Sequence, residues 1–222
     1  STQSRVVNNM AASGGAYGMY AYTPRFVDFY NNTFKGSTYG AYLYSTTSTT
    51  LKSKMWNVQN NIFVGGSNYA VYVPTIPDSI IGWDYNLYNT GGANLARWGT
   101  TNYATLAAWQ TANTAYNQNS SDAAVLFASS DDLHVVNGGP NNIATPIASV
   151  TVDVDGDSRS TTTPDIGADE FAPISDDAAI VKIAGIGSCG DSAVTVDVIV
   201  YNNGLNPITS LSVNVSFTDD AA

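Results

Sequence analysis

The sequence predicts an all-β chain: a stack of parallel strand coils, followed by the first strands of a second β-domain. Three observations lead there. Paired asparagines recur with apolar residues held in register around them. Charged residues are only 12% of the 222, against a usual ~25%. Polarity comes instead from Asn, Thr, Ser and Tyr, a mixture that suits ladders of strands better than surface helices. Finally, the C-terminal part carries alternating Val and Ile runs around an Asn-Asn-Gly turn, which is a strand pattern.

The repeat comes first. The segments Val6-Val7-Asn8-Asn9-Met10, Phe29-Tyr30-Asn31-Asn32-Thr33-Phe34, Val58-Gln59-Asn60-Asn61-Ile62-Phe63 and Trp83-Asp84-Tyr85-Asn86-Leu87-Tyr88 align on Asn9, Asn32, Asn61 and Asn86, at intervals of 23, 29 and 25 residues. Three positions earlier stand Val6, Phe29, Val58 and Trp83. Two positions later stand Ala11, Phe34, Phe63 and Tyr88. A second phase, Tyr17-Gly18-Met19-Tyr20, Tyr39-Gly40-Ala41-Tyr42 and Tyr69-Ala70-Val71-Tyr72, falls between them. Short strands separated by turns, one coil per interval, explain both phases. Successive coils would stack at the ~4.8 Å strand spacing. A buried asparagine at each corner would pair with those above and below. Apolar neighbours would build a shared core that one coil cannot bury alone. Unequal intervals fit loops that bulge from the coils. The competing explanation is a β-sandwich with asparagine-rich turns; the aromatic register favours the stack.

Beyond Tyr88 the pattern changes. Residues 104–111, with Leu106 and Trp109 on one face, predict a short helix, and 124–127 and 133–136 predict short strands. Then come Val152-Asp153-Val154-Asp155-Gly156-Asp157-Ser158-Arg159 and Pro164-Asp165-Ile166-Gly167-Ala168-Asp169-Glu170-Phe171. This order resembles the C-terminal end of bacterial right-handed parallel β-helix surface proteins of the pectin-lyase-like superfamily, over residues 1–172. The resemblance implies that this region caps the open end of the helix, and that coils precede Ser1. After a linker at 173–177, residues 178–222 resemble the start of an immunoglobulin-like module of the kind strung along secreted proteins of Bacteroidota. A complete sandwich has about seven strands, so the module is expected to be incomplete here. The same resemblance implies a secreted or cell-surface location and export by the type IX route, with secretion machinery as a partner.

Charge restricts the partners. Residues 1–120 hold three acids and six bases, whereas 121–222 hold fifteen acids against Arg159 and Lys182. The acidic half disfavours nucleic acid and anionic lipid. No apolar run is long enough to span a membrane as a helix. The lone Cys189 forms no disulfide within the chain; it is read as a buried thiol or as paired with a downstream cysteine.

Chemistry is sparse. Asp153, Asp155 and Asp157 alternate beside a glycine and form a candidate calcium site. Gly156 and Pro164 stand where an EF-hand loop would not have them. The open alternative is a closing loop in which Arg159 pairs with Asp165, Asp169 or Glu170. The cations Arg25, Lys35, Lys52, Lys54 and Arg97 show no spacing typical of a lyase. Asp28, Asp78 and Asp84 are the carboxylates in the coils, with no arrangement that marks glycoside hydrolysis. His134 is read as structural. Asp78-Ser79-Ile80 and Asp191-Ser192-Ala193 resemble a short O-glycosylation motif of Bacteroidota, with Ser79 and Ser192 as acceptors. The functional expectation is a non-catalytic structural or adhesive module that displays glycan- or surface-binding loops. The alternative is the C-terminal part of a polysaccharide lyase or another glycan-cleaving enzyme.

Overall fold

The computed structural model describes residues 3–48, 50–136, 138–173, 176–184, 196–202, 204 and 206–214. The chain divides into a unit of residues 1–172 and a unit of residues 173–222.

The first unit is a parallel β-solenoid of about four turns. Coil one contains β1 (Ser4–Val7), β2 (Met10–Ser13) and β3 (Tyr17–Tyr22). Coil two contains β4 (Arg25–Tyr30), β5 (Thr33–Gly36) and β6 (Tyr39–Tyr44). Coil three contains β7 (Lys54–Gln59), β8 (Ile62–Gly65) and β9 (Val71–Val73). Coil four contains β10 (Ile80–Asp84), β11 (Leu87–Thr90) and β12 (Ala96–Trp98), and β13 (Thr101–Tyr103) then folds back antiparallel on β12. Strands of the same phase pair in parallel and make three sheets, ordered β1-β4-β7-β10, β2-β5-β8-β11 and β3-β6-β9-β12-β13. The bend between the second and third sheets is tight. A Cβ on Gly36 or Gly65 would lie 2.2 or 2.1 Å from the Tyr39 or Tyr69 carbonyl oxygen, so only glycine fits there.

The asparagine corners connect the coils. Asn9 donates its backbone N–H and its Nδ2 to Asn32 Oδ1 at 3.1 and 2.8 Å. Asn32 does the same to Asn61 Oδ1 at 3.0 and 2.9 Å. Asn61 repeats it on Asn86 Oδ1, both at 3.0 Å. Ser120 Oγ takes the Asn86 N–H at 3.0 Å. Each Nδ2 has a second hydrogen available for backbone carbonyls; Asn61 Nδ2 reaches Phe29 O and Gln59 O, both at 2.9 Å. Asn32, Asn61 and Asn86 are fully buried, so these partners replace water completely. Beside the ladder, Phe34 stacks on Phe63 at 6.3 Å and Phe63 on Tyr88 at 6.0 Å between ring centroids. The buried Tyr88 hydroxyl accepts from Trp83 Nε1 at 2.8 Å and donates to Asn117 Oδ1 at 2.6 Å, which satisfies its polar tip.

The two members of each asparagine pair do different work. The first members, Asn8, Asn31 and Asn60, have φ of 55°, 50° and 60°, and Tyr85 takes the equivalent place at 55°. Asparagine tolerates this left-handed conformation better than most residues. The turn also directs these side chains outward, away from the ladder.

After β13 a short helix, α1 (Leu106–Ala112), begins at Thr105, whose hydroxyl accepts the Ala108 N–H. Its Trp109 is buried against Trp83, Tyr88 and Trp98 of coil four. Residues 121–172 then run over the outward-facing corners with little regular structure. The spans 124–127 and 133–136, expected as strands, contribute only an isolated Phe127–Val135 bridge. Around it Val136 N–H meets Leu126 O and Ala128 N–H meets His134 O, both at 3.0 Å, while Val135 N–H goes to Asp169 Oδ2 at 2.9 Å. Val135, Ala144 and Ile166 pack on Ile62 and Leu87 to form a second, smaller core.

In the second unit β14 (Ala178–Ala184) pairs antiparallel with β15 (Asp197–Asn202). Ile180, Ile183, Ile199 and Tyr201 are exposed on this two-stranded ribbon. Residues 211–214 are not in a strand.

Candidate functional site

Period-two alternation in the third sheet turns Met19, Ala21, Ala41, Leu43, Val71 and Val73 toward the core. The alternate positions carry Tyr20, Tyr22, Tyr42, Tyr44 and Tyr72, with Tyr17 and Tyr39 at the strand starts, and parallel register aligns Tyr20 with Tyr42, Tyr42 with Tyr72, Tyr17 with Tyr39 and Tyr22 with Tyr44. Three columns of rings result. Tyr20, Tyr42 and Tyr72 follow one another at 5.3 and 4.7 Å between centroids. Tyr17, Tyr39 and Tyr69 stack at 5.4 and 6.1 Å with interplanar angles of 19° and 11°. Tyr22 stacks on Tyr44 at 5.2 Å. Tyr20 and Tyr22 are 51% and 66% exposed, so the top of the face is open to solvent. Burial first, and neighbouring phenols second, push the Tyr39 and Tyr42 hydroxyls above their ordinary range. Arg97 continues the Tyr20–Tyr42–Tyr72 column by register, and its guanidinium is held by Gly99 O and Asn102 Oδ1.

The coil cations are dispersed. Arg25 donates to Thr50 O, Lys35 to Ser130 O, and Lys52 pairs with Asp78 at 3.0 Å. Lys54 lies over the Phe26 ring. Asp28 takes Gln3 and lies near Arg5, while Asp84 binds Asn119 and the Tyr85 N–H. Ser79 is half-buried, and its Oγ accepts the Met55 N–H at 3.0 Å. Ser192 and Cys189 lie outside the described residues.

The acidic segment is arranged differently from its sequence spacing. Asp153 is buried, and both its oxygens are taken by backbone amides: Oδ1 accepts the Asp155 and Asp157 N–H groups at 2.9 and 2.8 Å, and Oδ2 accepts the Glu170 N–H at 2.9 Å. Asp155 reaches away to His134 Nε2 at 2.9 Å. Among the described residues, the side chains whose ligating atoms converge are His134, Asp155 and Asp169, all within 4.8 Å of one another. Asp153 and Asp157 are not in that group. Arg159, 6% exposed, binds Glu170 Oε2 at 3.2 Å, the Gly167 and Ala168 carbonyls at 3.0 and 2.8 Å, and Asn8 Oδ1 at 3.1 Å. Glu170 is therefore its carboxylate partner, and Asp165 and Asp169 accept backbone amides instead.

His134 is half-exposed at a corner rather than inside a strand. Its Nδ1 meets Asp132 Oδ1 at 2.5 Å, and Asp155 faces its other nitrogen. The Asp132 hydrogen bond above all, with help from Asp155, pushes its pKa up to about 9. Asp169, buried and itself shifted upward by desolvation, also faces it, with Asp153 behind. A folded-state pKa above the unfolded 6.5 stabilises the fold fully below pH 6.5, and that contribution fades as pH rises through about 9. Chelator-treated protein is therefore expected to lose stability between pH 6.5 and 9.5 in denaturant titrations. His134→Gln should flatten that slope; an equal slope in both proteins would contradict the assignment.

No family model, no curated protein and no solved structure matches the chain.

Proposed function

We propose that the chain is a non-catalytic module of a large secreted or cell-surface protein, and that its tyrosine face binds glycan. The three stacked tyrosine columns carry this reading. Ring faces with hydroxyl edges offer an apolar platform and polar rims, which suits the apolar faces and hydroxyls of a sugar chain. An exposed aromatic patch of this kind on a polar molecule marks an interaction surface. The dispersal of the coil cations and carboxylates supports a binding role over a glycan-cleaving one. This reading includes the finer identities that the sequence resembles: a right-handed, pectin-lyase-like helix with its C-terminal cap within residues 1–172, an immunoglobulin-like start in the second unit, export by the type IX route in a Bacteroidota host, and O-glycosylation at Ser79 and Ser192.

The test is binding to a panel of neutral and acidic polysaccharides, by affinity electrophoresis and calorimetry. Tyr42→Ala and Tyr72→Ala are each expected to weaken the bound polysaccharide at least about tenfold, or ~1.4 kcal/mol, with the circular dichroism unchanged. Polysaccharide binding that is indifferent to both changes, or chain cleavage by the purified protein, would overturn the reading.

A further inference from the structure

We infer that His134, Asp155 and Asp169 form a binding site for one divalent transition-metal ion of the Zn²⁺ type, which fastens the segment of residues 121–172 to itself. This does not rest on the glycan reading. Three features point to a metal.

The first is convergence from separate places in the chain. His134 follows the turn at Asp132, Asp155 tips the loop between the bridged residues Val152 and Ser158, and Asp169 lies beyond Gly167. Their ligating atoms nonetheless come within 4.8 Å of one another. Zinc bonds to imidazole and carboxylate are about 2.0–2.2 Å long, so ligand atoms around one ion lie about 3–3.5 Å apart by tetrahedral geometry. The His134–Asp155 contact of 2.9 Å needs to open only slightly.

The second is orientation of the imidazole. A metal-bound histidine generally gives its other nitrogen to a carboxylate or carbonyl, which fixes tautomer and ring plane. Asp132 Oδ1 holds Nδ1 in this way and leaves Nε2 facing Asp155. Asp132 is thus a positioning residue, not a ligand.

The third is a largely buried carboxylate: Asp169 is only 5% exposed, and its Oδ2 accepts the Val135 N–H at 2.9 Å. Burying a carboxylate away from water is costly unless a cation or sufficient donors compensate. A dication held by these three side chains would do so directly.

The donor set selects the ion. Imidazole with carboxylates suits Zn²⁺ and similar transition ions, whereas Ca²⁺ takes 6–8 oxygens. Three protein ligands would leave a fourth position for water.

The chain's single histidine makes the test direct. Metal-free full-length protein is titrated with ZnCl₂ by calorimetry, while the histidine ring signals are followed by NMR. One ion per chain is expected, with the His134 ring resonances shifting in step with the heat. His134→Gln should weaken binding at least about a hundredfold. Asp132→Asn should weaken it about 10–100-fold, the usual range for such an orienting partner, and Asp157→Asn should leave it unchanged. Millimolar Ca²⁺ should not displace the zinc. No binding at millimolar Zn²⁺, binding that leaves the histidine signals in place, or binding equal in His134→Gln would each overturn the site. Displacement by Ca²⁺ that depends on Asp157 would overturn it too, and would move the cation to the Asp153–Asp157 loop.

Discussion

Replacing Asn61 by Leu is expected to destabilise the solenoid by more than about 3 kcal/mol. Asn61 is fully buried between two coils and serves both. Its Oδ1 takes the backbone N–H and the Nδ2 of Asn32, and its own Nδ2 supplies Phe29 O, Gln59 O and Asn86 Oδ1. Leucine has a similar volume, so little cavity term arises. It instead leaves two donors of the coil below and several acceptors facing hydrocarbon. Each buried polar group without a partner costs about 1–3 kcal/mol. Asn9 makes the same kind of contacts to Asn32 and Val7 O, but it is exposed. Water can satisfy its partners, so Asn9→Leu should cost about 1 kcal/mol or less. Urea denaturation of both variants provides the measurement. Equal costs at the two positions would mean that the ladder is not what binds the coils.

Arg159→Met is expected to cost about 3–5 kcal/mol, the usual penalty for removing one partner of a buried ion pair. The guanidinium is a hub: it holds Glu170, the Gly167 and Ala168 carbonyls, and Asn8 on coil one. Methionine fills the space but leaves the Glu170 charge and two carbonyls without their donor. The loss should be local. Hydrogen exchange is expected to accelerate across residues 150–171 while β7 and β8 keep their protection. Arg159→Lys should fall between, because an ammonium lacks the planar fork that reaches several acceptors at once. A loss below about 1 kcal/mol for Arg159→Met would show that the segment is held by its apolar contacts instead.

The solenoid was legible because its physics imposes a spacing. An inward amide ladder and an inward aromatic column must keep a fixed offset, so Asn32 and Phe34, Asn61 and Phe63, and Asn86 and Tyr88 repeat together at coil length. The division of labour within each asparagine pair was not legible. Nothing in the composition says that Asn60 turns outward while Asn61 turns inward; the left-handed backbone at the first position decides it. Residues 121–172 were misread as containing two strands because their apolar alternation resembles that of a strand. They share a short bridge, with Val136 N–H on Leu126 O and Ala128 N–H on His134 O, but Val135 gives its N–H to the Asp169 side chain, so no strand is built. The sequence pattern places His134 in a strand, whereas it stands outside one. The local signal, Asp132 two residues earlier, was present, but Asp155 and Asp169 come to it only through the path of the docked segment. Aspartates at alternate positions say nothing of the hydrogen bonds within the loop, where Asp153 takes the backbone amides of Asp155, Asp157 and Glu170.

The outward asparagines give that docked segment the character of a gauge. It touches coil one through Asn8 Nδ2 to Val152 O, coil two through Asn31 Nδ2 to Gly167 O, and coil three through Asn60 Nδ2 to Thr145 O, across sequence separations of 144, 136 and 85 residues. Coil-to-coil ladder contacts span only 23 to 29. Loops that close over shorter distances form at lower entropic cost, so the coils can stack before the segment arrives. A strand slipped by one residue turns its inward side chains outward and carries its corner asparagine out of line. Such a stack would offer two of three sockets to a three-pin plug. The segment therefore reads the spacing of three coils at once, and seats fully only on the stack in which all three are in register.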